Sequence, residues 1–153
     1  MSIHAGRLAL IESLRGHRQD AEQALAQAAK SRAWVEQNLP AGSYRRAAMP
    51  AFGDFWATQV YEVAGDWARS VESGRAFTAR LERLSPTNEA DRQDQAQWLI
   101  WAYTSAAKSA FALRDYATAD RWMARVADLR KTLPAVAAEE VRSEMGERAV
   151  PEH

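Results

Sequence analysis

Residues 65–70, which read Gly65-Asp66-Trp67-Ala68-Arg69-Ser70, carry the turn signature that decides the fold. A similar turn lies 49 residues earlier, at Gly16-His17-Arg18, and another lies 49 residues later, at Arg114-Asp115-Tyr116. Each copy has a small residue three positions after its turn, followed by a helical pattern that ends near a proline. The small residues are Ala21, Ser70 and Ala119, and the prolines are Pro40, Pro86 and Pro134. Self-similarity at a fixed interval of this size is typical of stacked helical hairpins.

The composition favours helix in nearly every segment. The 153 residues include only 7 Gly and 5 Pro, mainly at segment ends, and no segment alternates apolar and polar residues with period two. We therefore predict one all-α domain over residues 1–153, built as a right-handed stack of three antiparallel hairpins. The hairpins are expected at about 3–39, 54–85 and 88–133, with a C-terminal capping helix at about 135–147. Asp54 is the expected N-cap of the second hairpin, and an ordinary multi-helix bundle is the alternative architecture.

Small residues predict close contacts between helices. Gly74 lies inside an apolar helical stripe, where glycine costs about 1 kcal/mol of helix propensity, so we expect another helix to cross closely there. Three alanines recur every four residues in the segment 98–113, whose only charged side chain is Lys108. These alanines are Ala102, Ala106 and Ala110. A helix that is apolar on nearly every side is usually surrounded by neighbours, so this segment is predicted to occupy the centre of the domain.

The charge balance and the absence of cysteine exclude several classes of function. Lys and Arg total 20, as do Asp and Glu, so the chain has no overall basic field to attract nucleic acid or anionic membranes. Without cysteine there are no disulfides, thiol nucleophiles or thiolate metal sites. Arg7 and Glu12 interrupt the first apolar stretch, which makes it a poor signal peptide. The expected protein is soluble and cytoplasmic.

The sequence contains no recognisable catalytic or cofactor motif. His4, His17 and His153 are scattered, with no pair at helical spacing, which argues against a metal site. There is no Gly-x-Ser-x-Gly nucleophile motif and no glycine-rich phosphate loop. We therefore predict a noncatalytic protein without cofactors.

The pattern around the turns resembles the tetratricopeptide repeat, in which two helices flank a Gly-x-aromatic turn and the second helix ends before a proline. The residues that follow the family's order are Tyr61, Gly65, Trp67, Ser70, Phe77 and Pro86, and again Arg114, Tyr116, Ala119, Met123, Val126 and Pro134. The first copy has Gly16, Ala21, Leu25, Ala28 and Pro40, with Arg18 in place of the aromatic. The interval of 49 residues exceeds the family's usual repeat of about 34, and Arg114 replaces the turn glycine.

This resemblance implies a noncatalytic adaptor, scaffold or chaperone-like module that binds a peptide segment or partner helix in a groove lined by the first helix of each hairpin. Transferred by spacing from the turns, the groove residues are Phe52, Phe55, Gln59 and Glu62, followed by Trp101, Thr104, Lys108 and Phe111. Aromatic residues at helical spacing equally fit a hydrophobic core. Lys108 is the sharper signal, because a single cation on an apolar helix either reaches solvent along its stem or meets a carboxylate.

The aromatic residues divide into two groups. Those on stripes predicted to be buried are Trp56, Trp67, Trp98, Trp122 and Tyr116. Trp34 and Trp101 are less well placed for the core and are the better candidates for an exposed contact.

A basic patch gives an alternative function, that of a small helical subunit contacting nucleic-acid backbone in a nucleoprotein complex. Its residues are Arg15, Arg18, Tyr44, Arg45 and Arg46, with Tyr44 available for stacking. Glu12, Asp20, Glu22 and Glu36 are interleaved with these bases, so ordinary surface ion pairing competes with this interpretation. Three hairpins also leave exposed array ends, which leaves self-association open.

Overall fold

The computed structural model describes residues 2–30, 35 and 37–134, and this part of the chain is all-α, without a strand. The helices are α1 (Ser2–Leu14), α2 (Arg18–Ala29), α3 (Tyr44–Ala48), α4 (Phe52–Val63), α5 (Trp67–Glu82), α6 (Glu89–Ala112) and α7 (Tyr116–Arg130). A single 3-10 turn, Met49–Ala51, leads from α3 into α4. The all-α prediction is confirmed. The capping helix predicted at 135–147 and the exposed contact predicted at Trp34 lie outside the described residues.

The helices pack in an orderly sequence along the chain. Consecutive helices form three packed pairs, each joined by a turn of three residues: α1 with α2, α4 with α5, and α6 with α7. Because the connections are so short, the two helices of each pair run in opposite directions. Between pairs, α4 packs on α1 and α2, and α6 packs on α4 and α5.

The three turns have the same backbone geometry. Gly16, Gly65 and Arg114 adopt φ angles of 78°, 72° and 63°, in the left-handed region that glycine prefers. In each turn the next residue donates its backbone N–H to the carbonyl five positions earlier, which is the hydrogen bond of a Schellman cap. These bonds run from His17 to Glu12 (2.8 Å), from Asp66 to Tyr61 (2.9 Å) and from Asp115 to Ala110 (2.9 Å). The turns are therefore equivalent in structure as well as in spacing.

The following helices begin differently at one of these turns. The side chains of Asp66 and Asp115 accept backbone N–H groups from Arg69 (3.4 Å) and Thr118 (3.2 Å), whereas His17 makes no such cap. Elsewhere, Asp54 lies in the first turn of α4 and is not its N-cap, because the 3-10 turn continues directly into a helix that begins at Phe52.

The predicted close approach of helices at Gly74 is present. A Cβ atom on Gly74 would lie 2.6 Å from the Cβ atom of Ala106, so α5 and α6 touch where neither has more than a methyl group. Nearby, the Ser109 hydroxyl donates to the Ser70 hydroxyl (2.8 Å), which in turn donates to the Thr58 carbonyl (2.9 Å). Small residues thus set the distance between α5 and α6.

Two aromatic residues predicted to be buried are exposed. Trp67 and Tyr116 have 36% and 40% of their surface accessible. Each is the first residue of its helix. The stripes they begin are buried only from the next helical turn onward, at Ser70 and Ala119.

Candidate partner-binding face

The two aromatic residues that α4 was predicted to contribute to the groove belong to the core. Phe52 and Phe55 are 7% and 4% exposed. Their ring centroids lie 4.7 and 5.1 Å from Trp98 of α6, and 5.5 and 5.3 Å from Phe77 of α5. These two rings therefore hold α4, α5 and α6 together.

The polar residues of α4 also bind α6. Gln59 is buried, and its Nε2 donates to the Ser105 hydroxyl at 2.7 Å. Lys108 Nζ lies 3.0 Å from Glu62 Oε1, with 26% and 13% of the two side chains exposed. The sequence left two possibilities for Lys108, the only charged residue of the segment 98–113, and the structure shows it paired with a carboxylate.

The four residues predicted on α6 are divided between surface and interior. Trp101 is partly exposed and packs its ring edge-on against Trp98, with centroids 4.9 Å apart. Phe111 is partly exposed and lies 5.1 Å from the ring of Tyr116. Thr104, between them, is only 2% exposed. The accessible part of the face therefore consists of Trp101, Lys108, Phe111 and Glu62.

The basic residues of the alternative site are largely engaged by acids or by backbone. Arg15 pairs with Glu12 (3.4 Å), and Arg18 pairs with Glu22 (3.4 Å) and Asp66 (3.6 Å). Arg46 Nη1 donates to the Leu39 carbonyl (3.3 Å), while Arg45 is exposed. These contacts match the interpretation of ordinary surface ion pairing.

Tyr44, the proposed stacking residue, is buried beside α6. Its burial, together with the negative charges of Asp94 and Asp91, raises the pKa of its phenol above the ordinary value. The ring is 9% exposed, so a base could stack on it only if α3 moved.

One cleft brings together residues that are far apart in sequence. It has a volume of about 480 Å³ between α2, α4 and α5, and its polar lining includes Glu22, Asp54, Tyr61, Arg69 and Arg80. Arg69 lies over the Tyr61 ring, 4.2 Å from its centroid, and Arg80 lies 3.3 Å from Asp54. Burial raises the pKa of Asp54, and the Arg80 charge opposes that rise. No short motif could have indicated this cleft, since its residues come from three helices.

A second group combines carboxylates with a histidine. Glu12, His17 and Asp20 place potential ligand atoms within 4.8 Å of one another at the α1–α2 turn. His17 Nδ1 lies 2.7 Å from Glu12 Oε2 and 4.0 Å from Asp20 Oδ2. The short contact between His17 and Glu12 accounts for the arrangement, and we assign no metal to it.

Comparison with known proteins yields no relative. No protein-family model matches the chain, and neither the curated proteins nor the solved structures contain a significant match. Among the described helices, none combines the length and apolar character required to cross a lipid bilayer.

Proposed function

We propose that this domain is a noncatalytic helical-repeat module that binds a segment of another protein, in the role of an adaptor, scaffold or chaperone-like component. The observation that carries the proposal is the common geometry of the three turns. We interpret the pairs α1–α2, α4–α5 and α6–α7 as copies of one unit that recurs every 49 residues and stacks into a right-handed array. Arrays of this kind have extended concave surfaces that bind partners.

The packing between units supports this interpretation. The first helix of each pair contacts the first helix of the next, in the order α1, α4, α6. The small residue three positions after each turn is buried in all three copies, at Ala21, Ser70 and Ala119. In a repeat, equivalent positions have equivalent neighbours. The contacts between first helices and the burial of the small residue after each turn are both of this kind, and they support the interpretation of the pairs as repeats.

The partly exposed side chains of this face are of the types that bind a protein segment. Trp101 and Phe111 offer partly exposed rings on α6, and Lys108 and Glu62 offer one positive and one negative group between them. Aromatic rings bordered by a few charges commonly anchor an apolar side chain and orient the bound backbone. We expect a partner helix or extended peptide with at least one large apolar residue.

A site-specific photo-crosslinking experiment tests the proposal. Gln97 lies one helical turn before Trp101 on the same side of α6 and is partly exposed, so a photoreactive residue placed there should capture the partner from cell lysate. Gln23, exposed on α2, is the matched control position and should capture little. Nuclease treatment separates a protein partner from one held through nucleic acid.

Substitutions on the face identify the contact. Trp101→Ala and Lys108→Met should each reduce crosslinking from position 97, while circular dichroism shows unchanged helicity. Equal crosslinking from positions 97 and 23, or crosslinking that neither substitution affects, would overturn the proposal. Loss of the crosslink on nuclease treatment would favour the nucleic-acid alternative.

A further inference from the structure

A tryptophan of the chain itself lies between the last two pairs of helices. The Trp122 ring of α7 lies 6.2 Å from the Tyr103 ring of α6, measured between centroids. The Arg75 guanidinium of α5 lies 5.9 Å from the centroid of the same tryptophan ring. Trp122 therefore fills the space that α7 would otherwise leave beside α5 and α6.

The cleft between α2, α4 and α5 occupies the equivalent place one unit earlier. The residue 49 positions before Tyr103 is Asp54, and the residue 49 positions before Arg75 is Ala26. Both line this cleft. The two neighbours of the Trp122 ring thus have their counterparts in the walls of a space that no ring of the chain fills.

The side chain that would fill the cleft is replaced by a small one. Ser73 stands 49 residues before Trp122, and Arg80, which lines the cleft, stands 49 residues before the buried Leu129. The resulting volume of about 480 Å³ lies within the range of about 300–1,000 Å³ that is usual for small-molecule sites. A bound aromatic ring could therefore take the place that Trp122 takes in the next unit.

The polar groups of the cleft indicate what such a ring should carry. Asp54 stands where the next unit has Tyr103, so a carboxylate borders this space instead of a second ring. Its Oδ2 lies 3.3 Å from Arg80 Nη1 but accepts no hydrogen bond within the described part of the chain, and 32% of the side chain is exposed. Burial raises the pKa of this carboxyl, and an N–H group donating to it would stabilise its charged form.

The other charged pair of the cleft is already engaged. Arg69 Nη1 lies 3.5 Å from Glu22 Oε1, and Arg69 Nη2 donates to the Tyr61 hydroxyl at 3.1 Å. Arg69 and Arg80 are about three helical turns apart on α5, so the two pairs lie at opposite ends of the cleft. A polar ligand group is therefore expected at the Asp54 end.

We propose that this cleft binds a small planar aromatic molecule with a ring N–H, of the size of indole. The ring lies in the place equivalent to that of Trp122, and its N–H donates to the Asp54 carboxylate. The site shares no residue with the partner-binding face. It uses the interpretation of the helix pairs as repeats but not the binding of a partner, so a failure to bind indole would leave the partner proposal standing.

An NMR titration of the unmodified chain with indole tests the site. Binding should be saturable, and the largest amide shifts should include Gly53 and Ala57, which line the cleft on α4. The control ligand 1-methylindole has the same ring system without the N–H. It should bind about tenfold more weakly or worse, because a hydrogen bond to a charged acceptor is lost. Asp54→Ala should abolish the difference between the two ligands.

A substitution that copies the next unit gives a second test. Ser73→Trp should place a ring of the chain in the cleft, remove the indole-dependent shifts and raise the melting temperature, as cavity filling commonly does. Ser73→Ala is the matched control and should bind indole as the unmodified chain does. Circular dichroism establishes that each variant is folded.

Three results would each overturn the proposal. They are the absence of saturable indole binding, equal affinities for indole and 1-methylindole, and a folded Ser73→Trp variant that binds indole as tightly as Ser73→Ala. If Ser73→Trp does not fold, the comparison of the two ligands on the unmodified chain still decides the matter.

Discussion

The two sides of α6 meet their neighbours by opposite means. Toward α5, contact depends on the absence of side-chain bulk, because Gly74 and Ala106 allow the backbones to approach and the hydroxyls of Ser70 and Ser109 form a hydrogen bond nearby. Toward α4, contact depends on bulk, with Phe55 against Trp98 and the Lys108–Glu62 pair at its edge. The first side should therefore be sensitive to added atoms, and the second to removed atoms.

The largest effect is expected on the α4 side. Phe55→Ala should lower the free energy of unfolding by about 3–5 kcal/mol, because it leaves a cavity among four aromatic rings. Urea denaturation measures the change. Phe111→Ala removes the same side chain from a partly exposed position and should cost clearly less. Equal losses for the two variants would show that Phe55 is not a core residue.

The next largest loss of stability is expected on the α5 side, from a substitution that helix propensity alone would favour. Gly74→Ala would gain about 1 kcal/mol in an isolated helix, but here its methyl group would meet the Cβ atom of Ala106 at 2.6 Å and the Thr58 methyl group at 3.3 Å. We expect a net loss of about 1–3 kcal/mol in urea denaturation.

The matched rescue exchanges the two residues. Gly74→Ala combined with Ala106→Gly restores the missing space and should recover part of the lost stability. A stabilising Gly74→Ala substitution would mean that α5 can move away from α6 at little cost.

These two sides also explain what could be predicted from the sequence. The α5 contact was predictable because a glycine and a row of alanines within helical patterns are unusual enough to indicate a close crossing. The α4 contact was not, because helical spacing shows which side of a helix is apolar but not whether a neighbour covers it. Phe55 thus fitted a groove and a core equally well.

The ion pair between Lys108 and Glu62 could not be predicted from the sequence, for a related reason. Glu62 and Lys108 are 46 residues apart, and many carboxylates in the chain could have met this lysine. Spacing from the turns did indicate that both residues lie on the same face. The cleft that contains Arg69 and Arg80 was missed because its lining is assembled from three helices.

A smaller effect distinguishes the hydroxyls on the α5 side from ordinary helix positions. Ser109→Ala should cost about 1 kcal/mol, because the Ser70 hydroxyl loses a buried donor. Ser73→Ala, at a partly exposed position on α5, should instead stabilise slightly through helix propensity. If thermal denaturation shows the same sign of change for both, the buried hydroxyl pair contributes nothing specific.

The smallest effect is expected for the ion pair on the α4 side. A double-mutant cycle with Lys108→Met and Glu62→Gln should give a coupling free energy below about 1 kcal/mol, because water still reaches both side chains. Added salt should weaken the coupling. A larger value, constant with salt, would place the pair among the buried contacts that define this side of α6.

The turn at Arg114 shows that different sequences can adopt one backbone shape. The first turn, Gly16-His17-Arg18, and the third, Arg114-Asp115-Tyr116, share no residue at any position, yet their φ angles and hydrogen bonds agree. Only the middle turn is related to both, through its glycine on one side and its aspartate and aromatic residue on the other. A search for further turns of this shape should therefore start from Gly65-Asp66-Trp67, because either outer turn used alone would miss the other.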